Sequence, residues 1–323
     1  MNKIKSYTGI ILGAIYGLII RFLSDNGEMN DLYNIYSITF IWVTPVIIGL
    51  FPILFSSNAL YQSKVKLFFY PFLTVLLFMA LTLATGLEDL LCLLIIGLPF
   101  GFIAGIVGIL LGIFVKKKVE NKSLYSLLFI PLLLNPIENL FPNQVETFSV
   151  QSEVIIQHSN AKIFPYLLAV PTLDENVYQS GFYQAIGIPR PMYAELYQDG
   201  KNWYRIGYFT DQLSLYEYVS EIKKNEFVNF KIDLQQSQLR NTPTDQHLLK
   251  SDEFKFENIN YTLVPIDAEQ TKIILNCDYT LNSKLNGYAN FWAERIIKDF
   301  EVRLLEALKL KLESEILNSS YNN

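Results

Sequence analysis

The sequence predicts an α+β chain in two parts: an N-terminal transmembrane helical bundle of four to five spans, then a water-compatible domain in which a curved antiparallel sheet surrounds a long C-terminal helix. Three observations predict it. Apolar runs of membrane-span length crowd the first 140 residues. Near Gln144 the hydrophobic period changes from helical to alternating. The stretch TKIILNCDYTL, starting at Thr271, then passes into a helical repeat that runs towards the end of the chain. The expected divisions are 1–143 for the transmembrane part, 144–318 for the sheet and helix, and 319–323 for a disordered tail.

Composition supports a folded chain. With 51% hydrophobic and 18% charged residues, apolar surface is abundant and long disorder is excluded. Residues 1–140 hold 9 basic and 7 acidic residues, against 17 and 24 in the remainder, so the second part is acidic and nucleic acid is not an expected partner. The two cysteines, Cys92 and Cys277, are too few for a disulfide framework or metal cluster.

A bilayer core about 30 Å thick needs roughly 20 apolar residues, and runs at about 7–24, 35–55, 67–87 and 90–115 meet that length. Their connectors alternate in charge. Lys3 and Lys5, Lys64 and Lys66, and Lys116, Lys117, Lys118 and Lys122 mark one side; Asp25, Glu28 and Asp31, then Glu88 and Asp89, mark the other. Basic loops stay cytoplasmic, so the N-terminus is expected inside and the chain in the cell membrane. The N-terminal apolar run resembles a leader but lacks a small-residue cleavage site, so it is expected to be retained. Gly9, Gly13 and Gly17, and Gly97, Gly101, Gly105, Gly108 and Gly112, fall on helix faces suited to close packing within the bundle or between protomers. No span carries a charge near its middle, which argues against an ion pathway. A fifth run, Leu124 to Phe141, contains Pro131, Pro136, Asn135 and Glu138. It is expected to cross, which would put the domain outside; an interfacial placement would leave it inside.

In the second part, SVQSEVIIQH alternates as a strand, and Ser159 or Asn160 can cap a short helix ended by Pro171. Strands follow at about 191–198, 202–210, 213–223, 226–234, 253–266 and 270–281, close enough to pair antiparallel. Ile273, Leu275, Cys277, Tyr279 and Leu281 share one face of the last strand. Leu285, Ala289, Trp292, Ile296, Phe300, Leu304 and Leu308 recur at helical spacing after it. The charged positions between them, Glu294, Arg295, Lys298, Asp299, Glu301, Arg303 and Glu306, read as a solvated face.

This order resembles the helix-grip fold of the START-like, or SRPBCC, superfamily, with its polyketide cyclase-like and lipid-transfer members. The resemblance spans about 145–316 and rests on SEVIIQHSNAKIFPYLLAVP, GFYQAIGIPRP, YTLVPIDAEQTKIILNCDYTL and YANFWAERIIKDFEVRLLEALK. With the N-terminal spans it is similar to a membrane-anchored branch of that superfamily. It implies a cavity between sheet and long helix for a lipid or other hydrophobic small molecule. Candidate walls are Tyr193, Tyr204, Tyr208, Tyr216, Tyr218, Phe230, Tyr261, Cys277, Tyr279, Trp292 and Phe300, although the inward face of each strand is open at this stage. Phe182 and Tyr183 would gate the mouth and Arg190 would hold an anionic head group; a structural corner is the alternative.

Catalytic signals are sparse. His158 and His247 have no partners at metal spacing and are expected on the surface. P-loop, dinucleotide and nucleophile-elbow patterns are missing from the sequence, and no cofactor is expected. Glu195, Glu217 and Asp278 would serve as acids or bases only if buried, with solvent the default for Asp278. A ligand-binding domain is therefore expected. A regulatory interaction module and a cyclase- or hydratase-type enzyme are the alternatives, and a buried carboxylate facing the interior would favour the enzyme.

Overall fold

The computed structural model describes residues 2–25, 37–55, 61, 63–115, 126 and 128–320. The chain divides into two compact units, Met1–Gln144 with Ser283–Leu285, and Val145–Asn282 with Asn286–Asn323.

Unit 1 is helical: α1 (Asn2–Asp25), α2 (Thr44–Leu54) entered through a π-helical turn at Thr39–Val43, α3 (Lys64–Ala84), α4 (Leu90–Cys92), α5 (Leu98–Val115) and α6 (Ile130–Glu138). A second π-helical turn, Leu93–Gly97, joins α4 to α5. Three stretches are long and apolar enough to cross a membrane: Tyr7–Ser24, Lys64–Ala84 and Leu90–Ile113. The expected second span is shorter, an apolar helix over Thr39–Leu54, which at helical rise reaches only about 24 Å. The third begins earlier than hydropathy suggested. Ser63 Oγ accepts from Lys66 N, placing both lysines in the first turn. Gly86, at φ 72°, follows the end of α3 in a conformation disfavoured for other residues. The side chains of Lys3, Lys5 and Asp25 lie outside the described residues, as do Glu28, Asp31, Lys116, Lys117, Lys118 and Lys122.

The glycines pack inside the bundle. A Cβ on Gly9 would sit 2.8 Å from Phe51 O, on Gly13 2.6 Å from Thr74 Cγ2, and on Gly108 2.4 Å from Leu67 O. Gly97 and Gly105 receive Met79 and Phe68 in the same way. Thus α1 meets α2 and α3, and α5 meets α3, at distances where an added methyl would force its neighbours to shift. At one end of the bundle Arg21, 1% exposed, pairs with Glu88 at 2.5 Å and donates to Leu87 O. Glu138 accepts from Ile38 N and Thr39 N, both at 2.7 Å, so its charge is spent on the unpaired amides that open the second helical segment.

Unit 2 is a seven-stranded antiparallel sheet in the order β1-β7-β6-β5-β4-β3-β2, a meander with β1 returned beside the last strand. The strands are β1 (Gln144–Ile156), β2 (Pro191–Asp199), β3 (Asn202–Phe209), β4 (Ser214–Lys223), β5 (Phe227–Gln238), β6 (Phe254–Pro265) and β7 (Thr271–Ser283). Between β1 and β2 lie α7 (Asn160–Leu168) and the short α8 (Phe182–Ala185). Ser159 holds the cap position of α7 without a side-chain bond. The Asn160 amide instead donates to Asn225 O and accepts from Thr271 Oγ1, fastening α7 to the sheet. The last helix, α9 (Asn286–Ser320), lies along one sheet face; Tyr321–Asn323 are outside the described residues.

Two apolar clusters fill the space between sheet and α9. One gathers Leu304, Leu305, Leu308 and Leu312 of α9 with Ile163 and Leu167 of α7 and Val228, Phe230, Leu263, Ile273 and Leu275 of the sheet. The other joins Ile297 to Val150, Phe254, Cys277, Tyr279 and Leu281. The expected β7 face, Ile273 to Leu281, is buried throughout. The α9 stripe is turned relative to expectation: Ile297, Glu301, Leu304, Leu305 and Leu308 form the buried line, and Trp292, Ile296 and Phe300 flank it, partly exposed.

Candidate functional site

Between the two clusters a polar seam crosses the interior. It is built where β1, β7 and β6 each insert one polar residue into an apolar face. On β1 this is Ser152, between Val150 and Val154; on β7 it is Cys277, between Leu275 and Tyr279; on β6 it is Tyr261, between Ile259 and Leu263. On the neighbouring strands Arg205 stands opposite Glu217. From the helix, Glu301 descends onto the seam.

Arg205 and Glu217 are both buried and form a close ion pair through Arg205 Nε and a Glu217 carboxylate oxygen. Arg205 Nη1 donates to Leu167 O at 2.7 Å, and its guanidinium carbon lies 3.7 Å from the centre of the Phe230 ring. The charges therefore satisfy each other, and the pair ties α7 to the sheet. Glu301 is different. It is 2% exposed, Ser152 Oγ donates to its Oε2 at 2.7 Å, and its Oε1 has no hydrogen-bond partner. Burial pushes its carboxyl up to about 7, opposed by the Ser152 bond and by Lys298. Burial also raises the Tyr261 phenol to about 12 and lifts the Cys277 thiol well above its ordinary range, so Cys277 is no thiolate nucleophile.

Apolar side chains beside the seam retain solvent access although they face α9. Ile232 is register-paired with Glu217 and Ile259 with Cys277, while Phe209 approaches Phe300 at 6.2 Å between ring centres. All four are only partly buried. Gly207 lies beside them, where a Cβ would come 3.3 Å from both Glu217 Oε1 and the Phe209 ring. These partly buried apolar side chains flank the seam.

The expected wall residues divide by strand face. Phe230, Tyr261, Cys277 and Tyr279 are buried on the α9 side, with Phe300 and Trp292 on the helix. Tyr279 is core: it stacks on Phe148 and Phe254 and donates to Asn290 Oδ1 at 2.8 Å. Tyr193, Tyr204, Tyr208, Tyr216 and Tyr218 fall on the opposite, outer face. Each neighbours an inward residue on its strand (Ala194, Arg205, Gly207, Glu217), and the register pairs Tyr193 with Tyr208 and Tyr204 with Tyr218. There the phenols stack on one another, Tyr193 on Tyr208 at 4.5 Å and Tyr204 on Tyr216 at 4.7 Å. They line no interior.

Arg190 is likewise occupied. Its Nη1 donates to Leu173 O at 2.7 Å and it lies 4.0 Å from Glu175, so it braces the loop before β2. That loop does sit beside α9. Arg303 donates to Gln179 O and lies so close to Gly181 that a Cβ there would meet Nη2 at 2.0 Å. Arg240, paired with buried Asp245, donates to Gly187 O. Gly187 itself, at φ 117°, takes a conformation that disfavours other residues. Phe182 is exposed at the tip, and Tyr183 is partly buried near Asp299.

Three further expectations change. Glu301, read as solvated, is among the most buried charged residues. His158, expected on the surface, is buried at the end of β1, where its carbonyl accepts from Thr271 Oγ1; His247 is partly buried. Glu195 is exposed on the outer face beside Tyr197, and Asp278 is partly buried, accepting from Asn276. Among the described residues no group of three or more His, Cys, Asp or Glu is placed to hold a metal ion.

No family model matches the chain. Comparison with curated proteins also gives no match. Solved structures do resemble it. The ZhuI aromatase/cyclase from Streptomyces sp. R1128 has 10% identity and a TM-score of 0.37, covering 53% of this chain and 96% of that one. A START superfamily protein from Mycobacterium smegmatis has 12% identity and a TM-score of 0.34, covering 51% and 97%. Truncated norcoclaurine synthase from Thalictrum flavum has 13% identity and a TM-score of 0.33, covering 53% and 96%. The helix-grip description of unit 2 rests on its own strand order and on the helix laid across one sheet face.

Proposed function

We propose that unit 2 binds a hydrophobic small molecule or lipid between its sheet and α9, and that unit 1 anchors it in the membrane. The carrying observation is the partly exposed apolar set Phe209, Ile232 and Ile259 on the sheet with Phe300 on α9, beside a buried polar seam. Apolar walls with a few fixed polar groups suit a ligand with an oily body and a polar tip. The test is native mass spectrometry of the full chain released from nanodiscs. A co-released hydrophobic compound, lost in Ile232→Trp, supports the reading; a chain that retains and takes up nothing in either form overturns it.

The anchoring reading extends to the fifth segment. Arg21 with Glu88, and Glu138 with Ile38, belong to one end of unit 1, since α2 runs antiparallel to α1 with Pro52 beside Gly9. The opposite end holds Lys64 and the last turn of α5, where Gly112 meets Leu67. Val115 and Glu138 thus lie at opposite ends of unit 1. With the basic N-terminus inside, unit 2 follows on the outer side.

One observation favours a second reading, an acid–base enzyme of the cyclase or hydratase type: the buried Glu301 carboxyl, held at about 7, is poised to exchange a proton near neutral pH. A bound compound that changes mass on incubation, and does so only when Glu301 is intact, would support it; an unchanged compound would oppose it.

A further inference from the structure

We infer that the seam at Glu301 is the site for the ammonium head of an amphipathic primary amine, whose apolar body lies against Phe209, Ile232, Ile259 and Phe300. The inference rests on the ligand-binding reading above and names its ligand class. A buried carboxylate is costly unless a cation or several donors meet it. Glu301 has a single donor, Ser152, and its second oxygen is unpartnered at 2% residue exposure.

Among the described residues no cation pairs with it directly, and Lys298 acts on it only at a distance. From α9 itself, Lys298 is exposed and donates to Gln151 O. From β3, Arg205 is committed to Glu217 on β4 and to Leu167 O. From β6 and β7, Tyr261 and Cys277 approach as neutral groups, each held protonated by burial. From β1 only Ser152 contributes. An incoming ammonium supplies both the missing charge and up to three donors, and its alkyl body extends the apolar lining. An alcohol offers one donor and no charge. A carboxylate brings a second negative charge to a place where the Arg205 guanidinium is already neutralised by Glu217.

The test compares octylamine, octanol and octanoate by calorimetric titration of the full chain in nanodiscs, with Glu301→Gln nanodiscs measured in parallel so that partition into lipid cancels. Glu301 must ionise to receive the ammonium, so octylamine affinity should rise about tenfold per pH unit from pH 5 to 7 and level off above. At pH 8 octylamine should bind at least tenfold more tightly than octanol, and octanoate more weakly than either. In Glu301→Gln the amine should lose tenfold or more, together with its pH dependence. An amine profile unchanged in Glu301→Gln, or octanoate binding as tightly as octylamine, overturns the inference. Octanol binding equally to both forms without amine preference would leave the ligand-binding reading standing and remove only the head-group assignment. If none of the three binds either form, both readings fall.

Discussion

Glu301 carries the sharpest consequence at the scale of single residues. Its carboxyl moves from an ordinary 4.5 to about 7 on folding, so the folded state holds its proton more tightly than the unfolded state does. The sign follows: stability from this group is intact below about 4.5, falls as pH rises towards 7, and is flat beyond. The loss is about 3 kcal/mol. Glu301→Gln, which keeps the shape and the Ser152 bond, should raise the thermal midpoint of the ligand-free chain at pH 8 and leave it nearly unchanged at pH 4. A midpoint difference independent of pH would contradict this assignment. Arg205 and Glu217 behave oppositely. Removing one partner strands a charge under Phe230, so Glu217→Ala should destabilise by about 3–5 kcal/mol, whereas Arg205→Met with Glu217→Leu should cost far less. Denaturation of the three variants forms a cycle that measures the difference.

At the scale of elements, alternation and helical period located every strand of the sheet and the long helix, with ends within a few residues except at β1 and β5, which extend further. They failed on facing. In β7 the apolar residues Ile273, Leu275, Tyr279 and Leu281 share one face with Cys277, and the other is polar apart from Ile274, so Ile273 to Leu281 pointed inward. In β2, β3 and β4 the tyrosines alternate with Ala194, Arg205, Gly207 and Glu217, and a reader of polarity alone turns those strands over. The inward choice is made by the Arg205–Glu217 pair, whose two charges satisfy each other only across strands. Glu301 was missed because a carboxylate between Phe300 and Val302 was grouped with Lys298, Asp299 and Arg303 as one solvated face. Its one readable signal was spacing, four residues from both Ile297 and Leu305 on the buried line. The glycine faces of unit 1 were legible because a missing side chain serves close approach. Gly108→Ala should therefore destabilise the bundle by about 1–3 kcal/mol, since the new methyl meets Leu67 O. The matching change at Gly287, where a Cβ meets nothing within 4 Å, should be tolerated. Detergent-resistance melting of both variants decides the point.

For the whole molecule, the anchoring proposal, in which the fifth segment crosses, expects unit 2 outside the cytoplasm. A C-terminal alkaline phosphatase fusion should be active and a fluorescent protein fusion dark in a bacterial host; the reverse pattern would place unit 2 inside. Substituting Glu138→Gln should weaken the paired amides of Ile38 and Thr39 and lower the melting midpoint of the bundle modestly.

The division of the interior into two separately packed clusters gives unit 2 a latch and a door. Around Leu305 and Leu308 the helix is clamped by α7 and the sheet together. Around Ile297 it meets the sheet without α7, and Ile296 and Phe300 remain partly open to water. Amides near Leu308 should therefore exchange with deuterium only through global unfolding, and those near Ala293 through a cheaper local opening. Under the ligand-binding proposal, the loose end is where a guest would pass, while the tight end keeps the architecture in register.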